Sequence, residues 1–164
     1  MWKINNLENK IISFQQPERA VVEYHGIIVL AFDIESIILN GTHIPHIITI
    51  SNGLDPTFTF TGNKKSLFHG NYKQEVQRLF TRTIKFLVKY GEGHKKVNIY
   101  VHNLGSYDGT FICRELLNSL DIDILKIKIL LDNHHKFISI EYQNLRFLDS
   151  CRLSVESFFL FKLR

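Results

Sequence analysis

The chain has 164 residues, 45% of them hydrophobic and 22% charged, with a formal net charge of +4. These values exclude a fibrous or intrinsically disordered protein, and a chain of this length buries roughly two thirds of its unfolded surface in one core. No apolar run reaches the roughly 18 residues a membrane helix needs, and Met1 to Lys10 is too polar for a secretory signal, so a soluble, non-exported protein without a membrane partner is expected.

Cys113 and Cys151 stand far apart without Cys-x-x-Cys spacing, which points to neither a disulfide framework nor a zinc knuckle, and both read as small core residues. The basic balance suits a polyanionic partner, although a modest lysine excess is also what a solvated surface carries. Alanine occurs only at Ala20 and Ala31, and lysine outnumbers arginine thirteen to seven. Apart from leucine, the favoured residues have A/T-rich codons. The coding sequence is therefore expected in an A/T-rich genome, such as that of an organelle, a mitochondrial plasmid or a virus.

Ile27 to Phe32 is an unbroken apolar run, the pattern of a strand covered on both faces. Ile44 to Ile50 and Thr57 to Thr61 read as two further strands, separated by Asn40-Gly41 and by Ser51 to Pro56, so three antiparallel strands come first. From Asn71 to Tyr90 the period becomes helical, with Val76, Leu79, Phe80, Ile84, Leu87 and Val88 on one face and a stop at Gly91. The opposite face carries Arg78, Arg82, Lys85 and Lys89, a stripe read as solvated rather than as a site. Val97 to Val101 then reads as a strand and Asp108 to Leu120 as a helix. Lys126 to Leu131 and Phe137 to Tyr142 form a hairpin around Asp132 to His135, before a strand at Leu145 to Leu148 and a helical stretch from Ser154.

Two segments carry chemistry. Asp33 and Glu35 follow the first apolar run, and strand alternation turns both carboxylates to one side. Adjacent anions in an apolar strand repel and lose hydration unless a cation, most simply a divalent metal, compensates them. The other reading ends the strand there and lets both acids enter solvent. In His102 to Phe111 a strand hands over to a helix, Gly105 permits an unusual turn, and Asp108 stands at the helix start. Asp108 taken alone also reads as a helix N-cap.

Together, Phe32-Asp33-Ile34-Glu35 and, about seventy residues later, His102-Asn103-Leu104-Gly105-Ser106-Tyr107-Asp108-Gly109-Thr110-Phe111 resemble the first and second exonuclease motifs of family B DNA polymerases. Phe147-Leu148-Asp149-Ser150-Cys151-Arg152-Leu153 is similar to the segment that follows in the protein-primed branch, the type found on mitochondrial linear plasmids, in organelles and in some viruses. The strand order is also similar to the ribonuclease H-like exonuclease fold, an α/β class with a mixed sheet.

The resemblance implies proofreading hydrolysis of the 3′ terminal nucleotide of single-stranded DNA, with two Mg²⁺ or Mn²⁺ ions held by Asp33, Glu35 and Asp108. It implies that Asn103, Leu104, Tyr107 and Ser150 contact the strand end, although the family more often has phenylalanine where Tyr107 stands. A terminal protein or a polymerase part would be the protein partner, and a mitochondrion, or the host cytoplasm for a virus, the location. No Tyr-x-x-x-Asp, the third exonuclease motif, follows Ser150, and the catalytic lysine segment and every polymerase motif are absent. Residues 1–164 are therefore expected to be one partial exonuclease domain, incomplete at its C-terminus, with weakened metal binding and an exposed sheet edge. The competing reading is a catalytically inactive remnant that only binds single-stranded nucleic acid. Among remaining features, the paired histidines His43 with His46 and His134 with His135 lack zinc-module spacing and read as surface residues, and the sequon Asn40-Gly41-Thr42 is idle without a secretory signal.

Overall fold

The computed structural model describes residues 23–24, 26–53, 57–63, 71–119 and 122–152. The helical stretch read from Ser154, Leu120 at the end of the second helix, and part of the Ser51 to Pro56 connection lie outside them. The described chain runs β1 (Glu23–Tyr24), β2 (Ile27–Leu39), β3 (Thr42–Ser51), β4 (Phe58–Thr61), α1 (Tyr72–Tyr90), β5 (Lys96–Val101), α2 (Asp108–Asn118), a 3₁₀ turn at Ile124–Lys126, β6 (Ile127–Leu131), β7 (Phe137–Tyr142) and β8 (Leu145–Asp149).

These strands form one mixed α/β sheet in the order β4-β3-β2-β5-β8-β7-β6, with β1 pairing β2. β5 is parallel to β2 on one side and to β8 on the other, and every other pairing is antiparallel. The three expected antiparallel strands appear as β2, β3 and β4, after the short β1; β5 is added beyond β2 after α1, and β8 beyond β5 after the β6–β7 hairpin.

The register puts Ile28, Val97 and Leu145 in one row, Leu30, Ile99 and Phe147 in the next, and Phe32, Val101 and Asp149 in the last. All nine lie on one side of the sheet and all are buried. The buried faces of α1 and α2 pack on that side, where Phe32 and Phe147 meet edge to face at 5.6 Å. Burial of each large aliphatic or aromatic side chain there stabilises the fold by about 1.5–3 kcal/mol.

The expectation that β2 is covered on both faces is corrected. Val29 is 37% exposed, and Ala31 is exposed with it. Both described helices lie on the Leu30 side, so among the described residues this apolar run has one open face. β2 is also longer than the apolar run. It continues to Leu39 because β3 pairs with it as far as Leu39↔Thr42, so the strand does not end at the acids. At the far edge of the described sheet, β6 exposes Ile129, Leu130 and Leu131.

Two glycines are fixed by space. Gly91 ends α1 at φ −86°, an ordinary value, but a Cβ there would meet Val97 Cγ2 at 2.5 Å and Asn144 Nδ2 at 2.8 Å. At Gly109, in the first turn of α2, a Cβ would lie 2.2 Å from the Leu104 carbonyl oxygen and 2.7 Å from Phe137 Cδ2. The Gly109→Ala substitution is therefore expected to lower stability by about 3 kcal/mol or more in chemical denaturation. A loss under about 1 kcal/mol would show that the loop and β7 yield to the methyl group.

Candidate active site

Three chain segments meet at the carboxyl ends of the parallel strands, the usual place for a site in an open α/β sheet. β2 runs past this edge while β5 stops at Val101 and β8 at Asp149. Along β2 buried and exposed residues alternate, so Phe32 and Ile34 point into the core while Asp33 and Glu35 are exposed on the other side. The two carboxylates thus share a face, as the spacing predicts.

Just beyond them the β2–β3 register shifts between Glu35 and Ser36, and Ser36 faces Pro45. A proline has no N–H for the ladder, which accounts for the irregularity. Close by, His46 Nδ1 lies 3.1 Å from the Glu35 carbonyl oxygen, so the imidazole supplies a donor to the backbone of the residue that carries the second acid.

The His102 to Tyr107 connection folds tightly over the end of β5. Asn103, not Gly105, takes the left-handed conformation, with φ 56°. Its carbonyl accepts from the Ser106 N–H at 3.1 Å, and the Leu104 carbonyl accepts from the Gly109 N–H at 3.1 Å. Gly105 allows close approach instead: its N–H donates to Asp149 Oδ2 at 3.0 Å, and a Cβ would lie a tight 3.1 Å from that oxygen. The other Asp149 oxygen accepts from the Cys151 N–H at 3.0 Å. Arg152 Nε lies 3.6 Å from Asp149, and its guanidinium also pairs with Asp132, which holds the Asp132 carboxyl well below the usual range. Sequence reasoning gave Asp149 no role. Its sequence signal was its place in the Phe147 to Leu153 segment, at the end of a strand.

This loop delivers Asp108 to the first turn of α2, with Tyr107 in the N-cap position, so the N-cap reading of Asp108 is corrected. Asp108 is buried, and no side-chain hydrogen bond reaches it from the described residues. Burial, then the charge of Asp33, then that of Glu35, push its carboxyl up to about 7. The fields of Asp33 and Glu35 therefore converge on Asp108, although 75 positions separate Asp33 from it in sequence.

Carboxylate oxygens, with Asp33 and Glu35 acting on Asp108, are the donor type that a hard divalent cation favours. As they stand, no three His, Cys, Asp or Glu side chains among the described residues are grouped closely enough to hold a metal ion. The four residues read as contacts for a strand end are spread around the same loop. Asn103 is exposed, whereas Leu104 is fully buried, so its own side chain does not meet solvent. Tyr107 is half-buried, with its ring 5.3 Å from that of His43 and 4.9 Å from that of Phe111, and its buried hydroxyl has no hydrogen-bond partner among the described residues. Ser150 is half-buried directly after Asp149. Of the paired histidines, His43, His134 and His135 are exposed. Two depressions along α1, of about 230 and 630 Å³, contain none of these residues.

Comparison with known proteins finds no match. No family model, no curated protein and no solved structure aligns with this chain. The reading of the site therefore rests on its own geometry and on the resemblance of its two motifs.

Because the folded state raises the Asp108 pKa, protonation favours the fold. That stabilisation is complete below the unfolded value of 3.8 and is lost as pH rises through about 7. The Asp108→Asn variant is accordingly expected to gain about 2 kcal/mol over the parent at pH 8 and little at pH 4. Denaturant midpoints at the two pH values check this, and an equal effect at both would remove the ionisation account.

Proposed function

We propose that this chain carries the chemistry of a 3′ to 5′ exonuclease on a ribonuclease H-like sheet, hydrolysing the terminal phosphodiester of single-stranded DNA for a DNA polymerase. The observation that carries this reading is that the charges of Asp33 and Glu35, at the strand end, act on buried Asp108 at the start of α2. Supporting it are the order of strands around β2 and the position of the acids at the carboxyl ends of the parallel strands.

In this reading Asp33, Glu35 and Asp108 hold Mg²⁺ or Mn²⁺, which when bound supplies an activated water and stabilises the departing 3′ oxygen. Asp33 and Glu35 face solvent, where a strand end enters; Asp108 closes the site from the core side. The Asp149 carboxylate positions the loop by holding Gly105, and that loop presents Asn103 to solvent and packs the Tyr107 ring between His43 and Phe111. Asn103 and Ser150 have hydrogen-bonding side chains suited to the sugar and phosphate of the terminal nucleotides, and the Tyr107 ring suits their bases. A net charge of +4 favours the polyanion overall.

A second reading, a non-catalytic binder of single-stranded nucleic acid, is favoured by the looseness of the carboxylate group. The two are separated with a 5′-labelled single-stranded oligonucleotide, Mg²⁺ or Mn²⁺, and the Asp33→Ala and Asp108→Asn variants. Stepwise shortening from the 3′ end that falls by about 100-fold or more in either variant is expected. Binding of the oligonucleotide by folded protein without shortening, unchanged in Asp33→Ala, would replace the exonuclease reading with the second one.

A further inference from the structure

Beside the carboxylates, but separate from them, the ends of β5 and β8 bring a thiol and an imidazole together. Cys151 Sγ lies 3.4 Å from His102 Nδ1 and 3.9 Å from Nε2, within range of a sulfur hydrogen bond. His102 is exposed and Cys151 half-buried, so solvent reaches this pair. Its charged neighbours are Asp149, which accepts the Cys151 N–H, and Arg152, which lies 3.6 Å from Asp149. Arg152 is shared with Asp132, and the imidazole is the group beside this sulfur that can accept its proton. Cys113 provides a contrast within the same chain. It sits on α2 with its thiol pushed up by burial, and no hydrogen bond reaches its sulfur from the described residues. Neither cysteine is in a disulfide.

We propose that Cys151 is a modification site, a nucleophilic thiol that His102 serves as proton acceptor and that reacts with hydroperoxides and soft electrophiles. With a hydroperoxide, the sulfur attacks the terminal peroxide oxygen and the O–O bond breaks. Sulfur is oxidised by two electrons to the sulfenic acid, and the peroxide is reduced. The thiol proton passes through His102 to the leaving oxygen, which departs as water or an alcohol.

The modification has a structural route to the loop. The Cys151 N–H and the Gly105 N–H occupy the two oxygens of one carboxylate, that of Asp149. An added group at Sγ crowds His102, the first residue of the loop, and strains the carboxylate that holds its middle. Modified Cys151 therefore loosens residues 102–107. Only the effect on hydrolysis rests on the proposed function; the reactivity of the thiol does not.

The test treats the folded protein with iodoacetamide, and separately with hydrogen peroxide followed by a sulfenic-acid trap, and reads each cysteine by peptide mass spectrometry. Cys151 is expected to react about tenfold faster than Cys113. His102→Asn and His102→Gln should each slow Cys151 several-fold and leave Cys113 unchanged, the constant Cys113 rate reporting an intact fold. Amide exchange at Gly105 should accelerate after modification. Equal rates at the two cysteines, or a Cys151 rate indifferent to both substitutions at His102, would overturn the proposal. No nucleic acid or metal enters the assay, so its outcome is independent of whether the chain is a nuclease.

Discussion

The Asp149 carboxylate lies in the last row of the parallel strands, next to Val101 and turned to the same side of the sheet as Phe147. A buried carboxylate is costly unless its oxygens are hydrogen-bonded, and here both are, to the N–H groups of Gly105 and Cys151. One bond reaches back across 44 residues to the β5–α2 loop and the other closes the turn that follows β8. This clamp joins the pieces on which the site depends. It holds the loop that delivers Asp108 and presents Asn103, and it keeps Cys151 against His102. Arg152 strengthens it from outside by balancing the charge of Asp149 and by tying the β6–β7 turn to the same corner through Asp132.

Around that corner the electrostatics are arranged against stability. Asp108 is removed from solvent and placed in the field of Asp33 and Glu35, so its ionised form is disfavoured. A structural carboxylate in this protein behaves differently: Asp149 and Asp132 are both met by donors, and Glu75, also buried, accepts from the Asn63 N–H at 2.8 Å. Among the described residues Asp108 has no such compensation, and a perturbed group of this kind at the carboxyl edge of a sheet is what the proposed site rests on. In the proposed function a divalent cation reverses its preference.

Much of the scaffold was legible because its periodicities are plain. The helical spacing from Val76 to Leu87 became α1, and the alternation around Asp132 to His135 became the β6–β7 hairpin. The length of β2 was not legible, because Asp33, Glu35 and Ser36 interrupt the apolar run. Pairing with β3, a tertiary contact, carries the strand onward. Nor could an apolar run announce that one of its faces lies open. Within the site, the common face of Asp33 and Glu35 followed from spacing alone. The approach of Asp108 did not, since a long separation in sequence carries no distance, and only motif resemblance linked the two segments. The clamp by Asp149 was hidden for a related reason: its partners are backbone N–H groups, which have no sequence signature.

The shared field of the three carboxylates is the central claim, and the most direct measurement follows the Asp108 carboxyl carbon by NMR through a pH titration. It compares the parent with the Asp33→Asn, Glu35→Gln double variant. The account predicts a midpoint near 7 in the parent and a lower one in the variant, still above an ordinary carboxylate because burial persists. The same midpoint in both proteins would mean that Asp33 and Glu35 do not act on Asp108, and would contradict the assignment of these residues to one site.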